Sequence, residues 1–474
     1  MAVSSILIAF PIITAIIYKE YKDIISFLIP AAIFLVLGSL MSIKKPSGTY
    51  KASEGFVITA LSWLMISAIG ALPFVISGQI PSYIDAFFET VSGFTTTGAS
   101  IVTDYDILSK SILFWRSFTH WVGGMGVLAL GIAILPVAKG RNKEIGSEAH
   151  ILRAESPGPT FGKMVAKLRF NSRILYGIYL FLTVFEIVLL LFGGMSVYDS
   201  IVYTFATAGT GGFAVTAAGV GLYNSVYLEM VVSVFMILFG INFNVYYFML
   251  IGKFKSAFKH EEMRWYLAII AVSVAVITAN TYSIYQNVGT AFRYSFFQVS
   301  SIITTTGFAT ADFNMWPTLS KVILVLLMFI GACAGSTGGG IKVSRLLVLV
   351  KTSIREVRHS INPRAVHSIR CDGEVVEHTV ITNISAYFAV YMLLIAISTL
   401  LVSFDGYDIT TSFTSVAACM NNIGPGLGLV GPTGNYAMYS VFSKIVLSID
   451  MLLGRLEIFP LLIVISPCAW KNRG

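Results

Sequence analysis

Charge is scarce in this 474-residue sequence. Asp, Glu, Lys and Arg make up 12% of it, while 56% is hydrophobic. A soluble domain carries about 25% charged residues, so the chain reads as a polytopic membrane protein rather than a string of soluble domains. Cysteine is also sparse. The four present (Cys333, Cys371, Cys419, Cys468) have no CxxC or His-rich spacing, which argues against a disulfide framework or zinc site and leaves packing roles. HExxH, GxSxG and paired intramembrane carboxylates are all missing, so a membrane-embedded enzyme lacks its reacting groups. His120 sits at a Trp/Gly-rich span end and reads as structural. His260, His359, His367 and His378 lie in or beside linkers. Residues 1–10 have no basic n-region and no small-residue cleavage site, against a removed signal peptide. The net charge of +8 does not indicate nucleic acid, because the cations fall between apolar spans, where they set orientation.

What is present is a polar motif in the wrong place for a surface loop. Gln298 to Thr310 holds Thr304-Thr305-Thr306-Gly307 between two hydrophobic segments. Thr95-Thr96-Thr97-Gly98 repeats it. Thr210-Gly211-Gly212-Phe213 is a looser copy, and Asn421-Asn422-Ile423-Gly424 the loosest. The glycines are 114, 95 and 117 residues apart, too far for a solenoid. Each unit therefore reads as span, re-entrant loop, span.

The resulting expectation is an all-α polytopic membrane protein. Four pseudo-symmetric span–pore loop–span repeats surround one pore, and an N-terminal helix pair brings the total to ten spans. The pair occupies 1–50, with apolar runs 5–18 and 24–43 joined by the charged turn at Lys19–Asp23. Repeats follow at 51–150, 151–258, 259–360 and 361–474. The side bearing 44–51, 139–173, 253–264, 342–370 and 471–473 holds 24 of the 32 Lys and Arg. That excess marks it as cytoplasmic, with both termini on it and the loops opening outward.

Non-helical backbone at membrane depth needs protein or water to satisfy its polar groups. A Thr-rich run ending in glycine offers carbonyl and hydroxyl oxygens to a dehydrated cation. Glycine reaches positive φ at little steric cost, which lets successive carbonyls turn to one side. Asp85 and Asp199 each lie thirteen residues before their glycine and suit the N-terminal end of a short pore helix. Glu89 reads as a buttress rather than a ligand. The alternative, that these runs only pack helices, fits one copy better than four.

A second unusual stretch, Gly331–Lys342, puts four glycines into positions 335–340 and interrupts the second span of the third repeat only. Each would cost about 1 kcal/mol against alanine in a helix, so the span is expected to break there, below the loops, as a gate or a packing kink. A phosphate loop is disfavoured, since Ile341 takes its lysine position. Arg455 lies inside an apolar span and is functional by default. It could hold the glycine break through carbonyls, form a positive barrier, or pair locally with Asp450 or Glu457.

Together with His120-Trp-Val-Gly-Gly-Met-Gly126, these motifs resemble the Trk/Ktr/HKT superfamily of potassium transporters over the whole chain. The extra N-terminal helix pair resembles its TrkH/TrkG-like membrane subunits. The resemblance implies K⁺ uptake across the plasma membrane, a bacterial or archaeal inner membrane, through a channel-like pore. K⁺ is the transported ion, and no cofactor is bound by this chain. A homodimer is implied, with a cytoplasmic nucleotide-binding regulatory subunit of TrkA/KtrA type and no nucleic acid. Filter roles are carried to Thr96, Thr97, Gly98, Thr210, Gly211, Gly212, Thr305, Thr306, Gly307, Asn422, Ile423 and Gly424. Gate roles fall on Gly335, Ser336, Thr337, Gly338, Gly339, Gly340 and Arg455. Plant relatives that admit Na⁺ place serine at the first filter glycine, so Gly98 favours K⁺. The departures in the second and fourth loops keep a Na⁺ or poorly selective monovalent cation conductor of the same architecture open as an alternative.

The basic segments 139–173 and 342–370 are plausible docking surfaces for such a partner. Deleting 157–163 is expected to weaken its co-purification, and undiminished recovery would remove the first segment from that role.

Overall fold

The computed structural model describes residues 7–43, 52–126, 168–364 and 368–466. Much of the basic 139–173 segment lies outside these. The described residues are mostly helical, with one two-stranded hairpin among them, β1 (Arg370–Cys371) and β2 (Glu374–Val375).

The N-terminal pair is α1 (Ala9–Ile17) and α2 (Tyr21–Ile43). A recurring order follows: a long helix, a short one, a non-helical turn, then a second helix. The first set is α3 (Ala52–Gly70) with its extension α4 (Leu72–Ile76), then α5 (Tyr83–Phe94) and α6 (Lys110–Gly124). The second is α7 (Leu168–Phe192), α8 (Val197–Ala208), α9 (Val226–Gly240) and α10 (Phe243–Leu250), with the short α11 (Phe254–Lys259) leading onward. The third is α12 (Glu261–Tyr285), α13 (Val288–Ile303), α14 (Thr318–Ile330) and α15 (Val343–Ile361). The fourth is α16 (His378–Val402), α17 (Ile409–Met420), α18 (Val441–Arg455) and α19 (Phe459–Ile465).

Among the described residues, five stretches are long and apolar enough to cross a bilayer: Tyr21–Leu40, Glu54–Ile76, Arg173–Phe192, Glu261–Tyr285 and His378–Asp405. A sixth is reached if α9 and α10, bent by 89°, count as one span. Large apolar side chains face outward on these helices, Phe181 at 66% and Phe192 at 80% exposure. Such surface suits lipid and not water.

The short helices are set by their first turns. Ser82, Ser196, Asn287 and Asp408 each cap one, accepting from the amides of Asp85, Asp199, Thr290 and Thr410. A side-chain oxygen thereby satisfies an amide that has no partner within its own helix. At 12 residues, α5, α8 and α17 reach roughly 18 Å, well short of a ~30 Å hydrocarbon core.

The four sets are tied in a closed order. Arg116 donates to the Ala214 carbonyl at 3.2 Å. Arg293 pairs with Glu229 at 2.6 Å. Asn314 donates to the Gly428 carbonyl at 3.1 Å. The Tyr436 amide donates to the Ser100 carbonyl at 2.8 Å, and Lys444 pairs with Asp85 at 2.5 Å, returning from the fourth set to the first.

One expectation needs correction. The break in a second span is not confined to the third set. In the second set the chain turns at Ile241-Asn242, and in the fourth α18 stops at Arg455 before α19 restarts at Phe459. In the second set the reason lies outside the local sequence. The Gly240 carbonyl accepts from the Cys333 amide at 3.1 Å, and the Phe243 amide donates to the Gly335 carbonyl at 3.0 Å. The glycine-rich segment thus satisfies the backbone groups that the bend exposes. In the fourth set Glu457 and Ile458 both hold positive φ, a conformation costly for a β-branched residue. Ile458 is fully buried there.

Candidate functional site

The four short helices end in turns of one conformation. Thr96, Thr210, Thr305 and Asn422 sit at φ 57°, 55°, 60° and 55°. Two residues later Gly98, Gly212, Gly307 and Gly424 sit at 77°, 77°, 83° and 91°. The side chains differ, but the backbone does not. A threonine at positive φ is uncommon, and here it occurs in three of four equivalent turns. Asparagine is among the residues that visit this region routinely.

The turns meet one another. A Cβ on Gly98 would lie 1.9 Å from the Gly211 carbonyl oxygen, and one on Gly212 2.0 Å from that of Thr306. One on Gly307 would lie 1.9 Å from that of Ile423, and one on Gly424 2.8 Å from that of Thr97. The contacts run from first to second to third to fourth and back to first. Each glycine therefore abuts the carbonyl of the residue just before the next glycine. The structure brings all twelve expected filter residues together, and all four glycines line one cavity of about 100 Å³.

The ring is braced from behind. Thr95 and Thr97 hydroxyls pair at 2.8 Å, as do those of Thr304 and Thr306. The His120 ring lies 2.8 Å from the Gly93 carbonyl through Nδ1, while its Nε2 accepts from the Phe213 amide at 3.3 Å. It joins the first turn to the second, a larger role than its sequence position suggests. Tyr436 donates to the Gly424 carbonyl at 2.6 Å. Asn422 Nδ2 reaches Thr97 Oγ1 and the Met451 carbonyl, each at 2.9 Å. Tyr391 donates to Asn421 Oδ1 at 2.7 Å. The His120, Asn422 and Tyr391 partners lie 27 or more residues away in sequence, and composition gives no signal for them.

Glu89 is a buttress, as expected. Its carboxylate accepts from Arg116 Nε at 2.8 Å, from the Ser100 hydroxyl at 3.0 Å and from the Ile101 amide at 3.0 Å. Arg116 also lies over the Phe213 ring, 4.2 Å from its centroid. Both charged groups are fully buried.

The glycine-rich segment lies directly against the ring. The Gly339 amide donates to Thr305 Oγ1 at 2.6 Å. A Cβ on Gly339 would stand 2.4 Å from the Asn421 carbonyl oxygen, and one on Gly338 2.9 Å from that of Thr304. Any side chain at either position would push the segment off the turns. Gly331, Gly335 and Gly340 take positive φ, and so does Lys342. Lys342 folds back to donate to the Gly338 carbonyl.

Arg455 closes this layer. Its guanidinium donates to the Thr337 carbonyl at 2.9 Å, to Thr96 Oγ1 at 3.3 Å and to the carbonyls of Gly123 and Gly124. Of the readings open from sequence, the carbonyl contact is thus seen. Asp450 accepts from Ser398 at 2.7 Å, and Glu457 pairs with Arg345. Arg455 thus touches the segment Gly335–Gly340 directly, through the Thr337 carbonyl. Cys333, Cys371 and Cys419 are free and buried, and Cys468 lies outside the described residues. No group of His, Cys, Asp and Glu fit to hold a metal occurs among the described residues.

Known proteins agree with this architecture over nearly the full chain. The TrkH family profile, described as a cation transport protein, matches residues 24–471. The Trk system potassium uptake protein TrkH of Salmonella typhimurium is 36% identical over 445 residues, covering 92% of this chain and 90% of the relative. The Trk system potassium uptake protein TrkG of Escherichia coli is 34% identical over 473 residues, covering 98% and 95%. The crystal structure of the potassium transporter TrkH from Vibrio parahaemolyticus superimposes with a TM-score of 0.87 at 33% identity, covering 99% of this chain and 97% of that one.

Replacing Arg116 with alanine leaves the Glu89 carboxylate buried without its cation, at a cost of about 3–5 kcal/mol. Thermal unfolding in detergent is expected to show a large fall in Tm. Arg116→Lys should restore the charge but not the forked geometry, and give a smaller fall.

Proposed function

This chain belongs to the TrkH family of cation transport proteins, and from that premise we propose that it takes up K⁺ through a channel-like pore. It is a membrane protein of a transport family, not an enzyme. In this reading the four sets of helices are pseudo-symmetric repeats around one axis, and ten spans cross the membrane. The carbonyls of Thr97, Gly211, Thr306 and Ile423, with those next to them, replace the water that K⁺ sheds. Several spans are then built from broken or short helices, a form tolerated where backbone lines a cavity or is enclosed by protein.

The observation that carries this reading is the cyclic contact of the four glycines with the next turn's carbonyl. Four packing motifs would have no reason to close in a circle at one level. The shared φ pattern bears on selectivity. Asn422-Ile423 replaces the Thr-Thr of the first loop, yet Asn422 holds φ 55° against 57° at Thr96. The change therefore alters side chains and not the backbone that offers oxygens. This favours K⁺ over the less selective alternative.

Gly335–Gly340 and Arg455 act as the gate, an obstruction immediately inside the filter. Its glycines supply the turns, and its bonds to Thr305, Thr96 and the bend at Ile241-Asn242 give it something to release. Both termini face the cytoplasm of an inner membrane, where a nucleotide-binding regulatory subunit docks. The transporter works as a homodimer. The relatives' names place them in a potassium uptake system, which supports the K⁺ assignment.

Expression in a K⁺-uptake-deficient host is expected to restore growth at low K⁺. Gly307→Ser is expected to fail, because its Cβ meets the Ile423 carbonyl. Liposomes carrying the wild-type chain should pass Rb⁺ well ahead of Na⁺. Absence of rescue by well-inserted protein would contradict K⁺ uptake, and equal Rb⁺ and Na⁺ fluxes would favour the unselective conductor.

A further inference from the structure

The glycine-rich segment is held by the ring, by Arg455 and by the bend between α9 and α10. It is also held by a carboxylate at the cytoplasmic start of α12. Glu262 lies in the first turn of that helix and is 5% exposed. Its Oε1 accepts from the Ala334 amide at 2.6 Å and from the Ser344 amide at 3.1 Å. These amides belong to opposite flanks of the break. Ala334 immediately precedes Gly335. Ser344 stands in the first turn of α15, where backbone N–H groups have no intrahelical acceptor and the helix dipole favours a negative charge. One oxygen therefore pins the entry and the exit of the segment together. Bonds from backbone amides to an ionised carboxylate are among the stronger hydrogen bonds.

The helix end that carries Glu262 is itself fixed. Neighbouring Glu261 accepts from Lys351 Nζ at 2.6 Å, two turns further along α15. Lys351 also donates to the Arg370 carbonyl of the hairpin at 2.7 Å. The Glu261 amide donates to Asp372 Oδ1 at 2.6 Å, and His260 faces Asp372 Oδ2 at 3.5 Å. The start of α12, the helix leaving the break and the β1–β2 hairpin thus form one junction.

We propose that Glu262 is a positioning residue for transport: it latches the glycine-rich segment in its obstructing conformation by holding both flanks at once. The proposal rests on the reading of that segment as the gate. It differs from the filter contacts in kind, since no bond of Glu262 reaches a ring residue. Breaking the latch removes the tie between the two flanks and leaves the contacts of the ring, of Arg455 and of the α9–α10 bend in place.

Cys333 is a native reporter. It adjoins Ala334 and is fully buried. The full chain carrying Cys371→Ser, Cys419→Ser and Cys468→Ser is reconstituted in liposomes, with and without Glu262→Ala or Glu262→Gln. Labelling of Cys333 by a small membrane-permeant maleimide is measured beside Rb⁺ and Na⁺ flux. Loss of two charge-assisted bonds is expected to raise the Cys333 labelling rate by roughly tenfold or more. Rb⁺ flux should rise with it, and the Rb⁺ preference over Na⁺ should be unchanged. Glu262→Gln keeps an accepting oxygen and should fall between wild type and alanine. If the alanine variant does not fold, Glu262→Asp, one methylene too short to reach both amides, carries the same expectation.

Unchanged labelling in a folded variant overturns the latch. Raised labelling with lost selectivity also overturns it, because the ring would then depend on Glu262. Raised labelling with unchanged flux sustains the latch and instead contradicts the gate reading.

Discussion

Close approach of backbone to backbone, at four places on one circle, is the constraint on which the rest of this structure depends. At each place a glycine with positive φ takes the carbonyl oxygen of the next turn where a Cβ would otherwise stand. The consequence spreads outward. The turns must be delivered by helices that stop at the ring, so those helices are short and side-chain capped. The second helices must clear the underside of the ring, so those seen to their ends stop or bend early. The displaced backbone groups must find partners, and in the second and third sets they find one another.

The same constraint explains why buried polarity is tolerated here. Thr, Ser, Asn, His, Glu and Arg side chains concentrate around the turns, where His120, Glu89, Arg116 and Arg455 are each matched to a backbone group or a counter-charge. Arg116 and Glu89 neutralise one another behind the first turn. Arg455 donates to carbonyls of the glycine-rich segment and of α6 and to the Thr96 hydroxyl. An ionisable group in a membrane interior is costly unless such partners exist. Here the partners are the irregular backbone that the ring creates.

Much of this was legible in the sequence, and the reason is physical. Glycine at a crowded junction cannot be replaced by another residue without moving the neighbour. The four glycines therefore announce themselves even where the flanking residues drift, as at Asn422-Ile423. The glycine-rich break was legible for the same reason, through the helix cost of Gly335, Gly338, Gly339 and Gly340. The bends after Gly240 and Arg455 were not. Their sequences are apolar and locally helical, and the groups that end the first of these helices, the Cys333 amide and the Gly335 carbonyl, lie nearly 100 residues away. His120, Tyr436 and Glu262 are not legible as functional residues for a related cause. Each acts by hydrogen bonding to a distant main-chain group, and a side chain's own sequence neighbourhood carries no trace of that.

The central claim is that the four turns offer main-chain oxygen to a dehydrated ion on a common axis. Anomalous diffraction from crystals grown in Rb⁺ tests it most directly. The account predicts Rb⁺ peaks on the axis encircled by Gly98, Gly212, Gly307 and Gly424, absent from crystals grown in Na⁺. An empty axis at saturating Rb⁺, or Rb⁺ held only elsewhere in the protein, would contradict it.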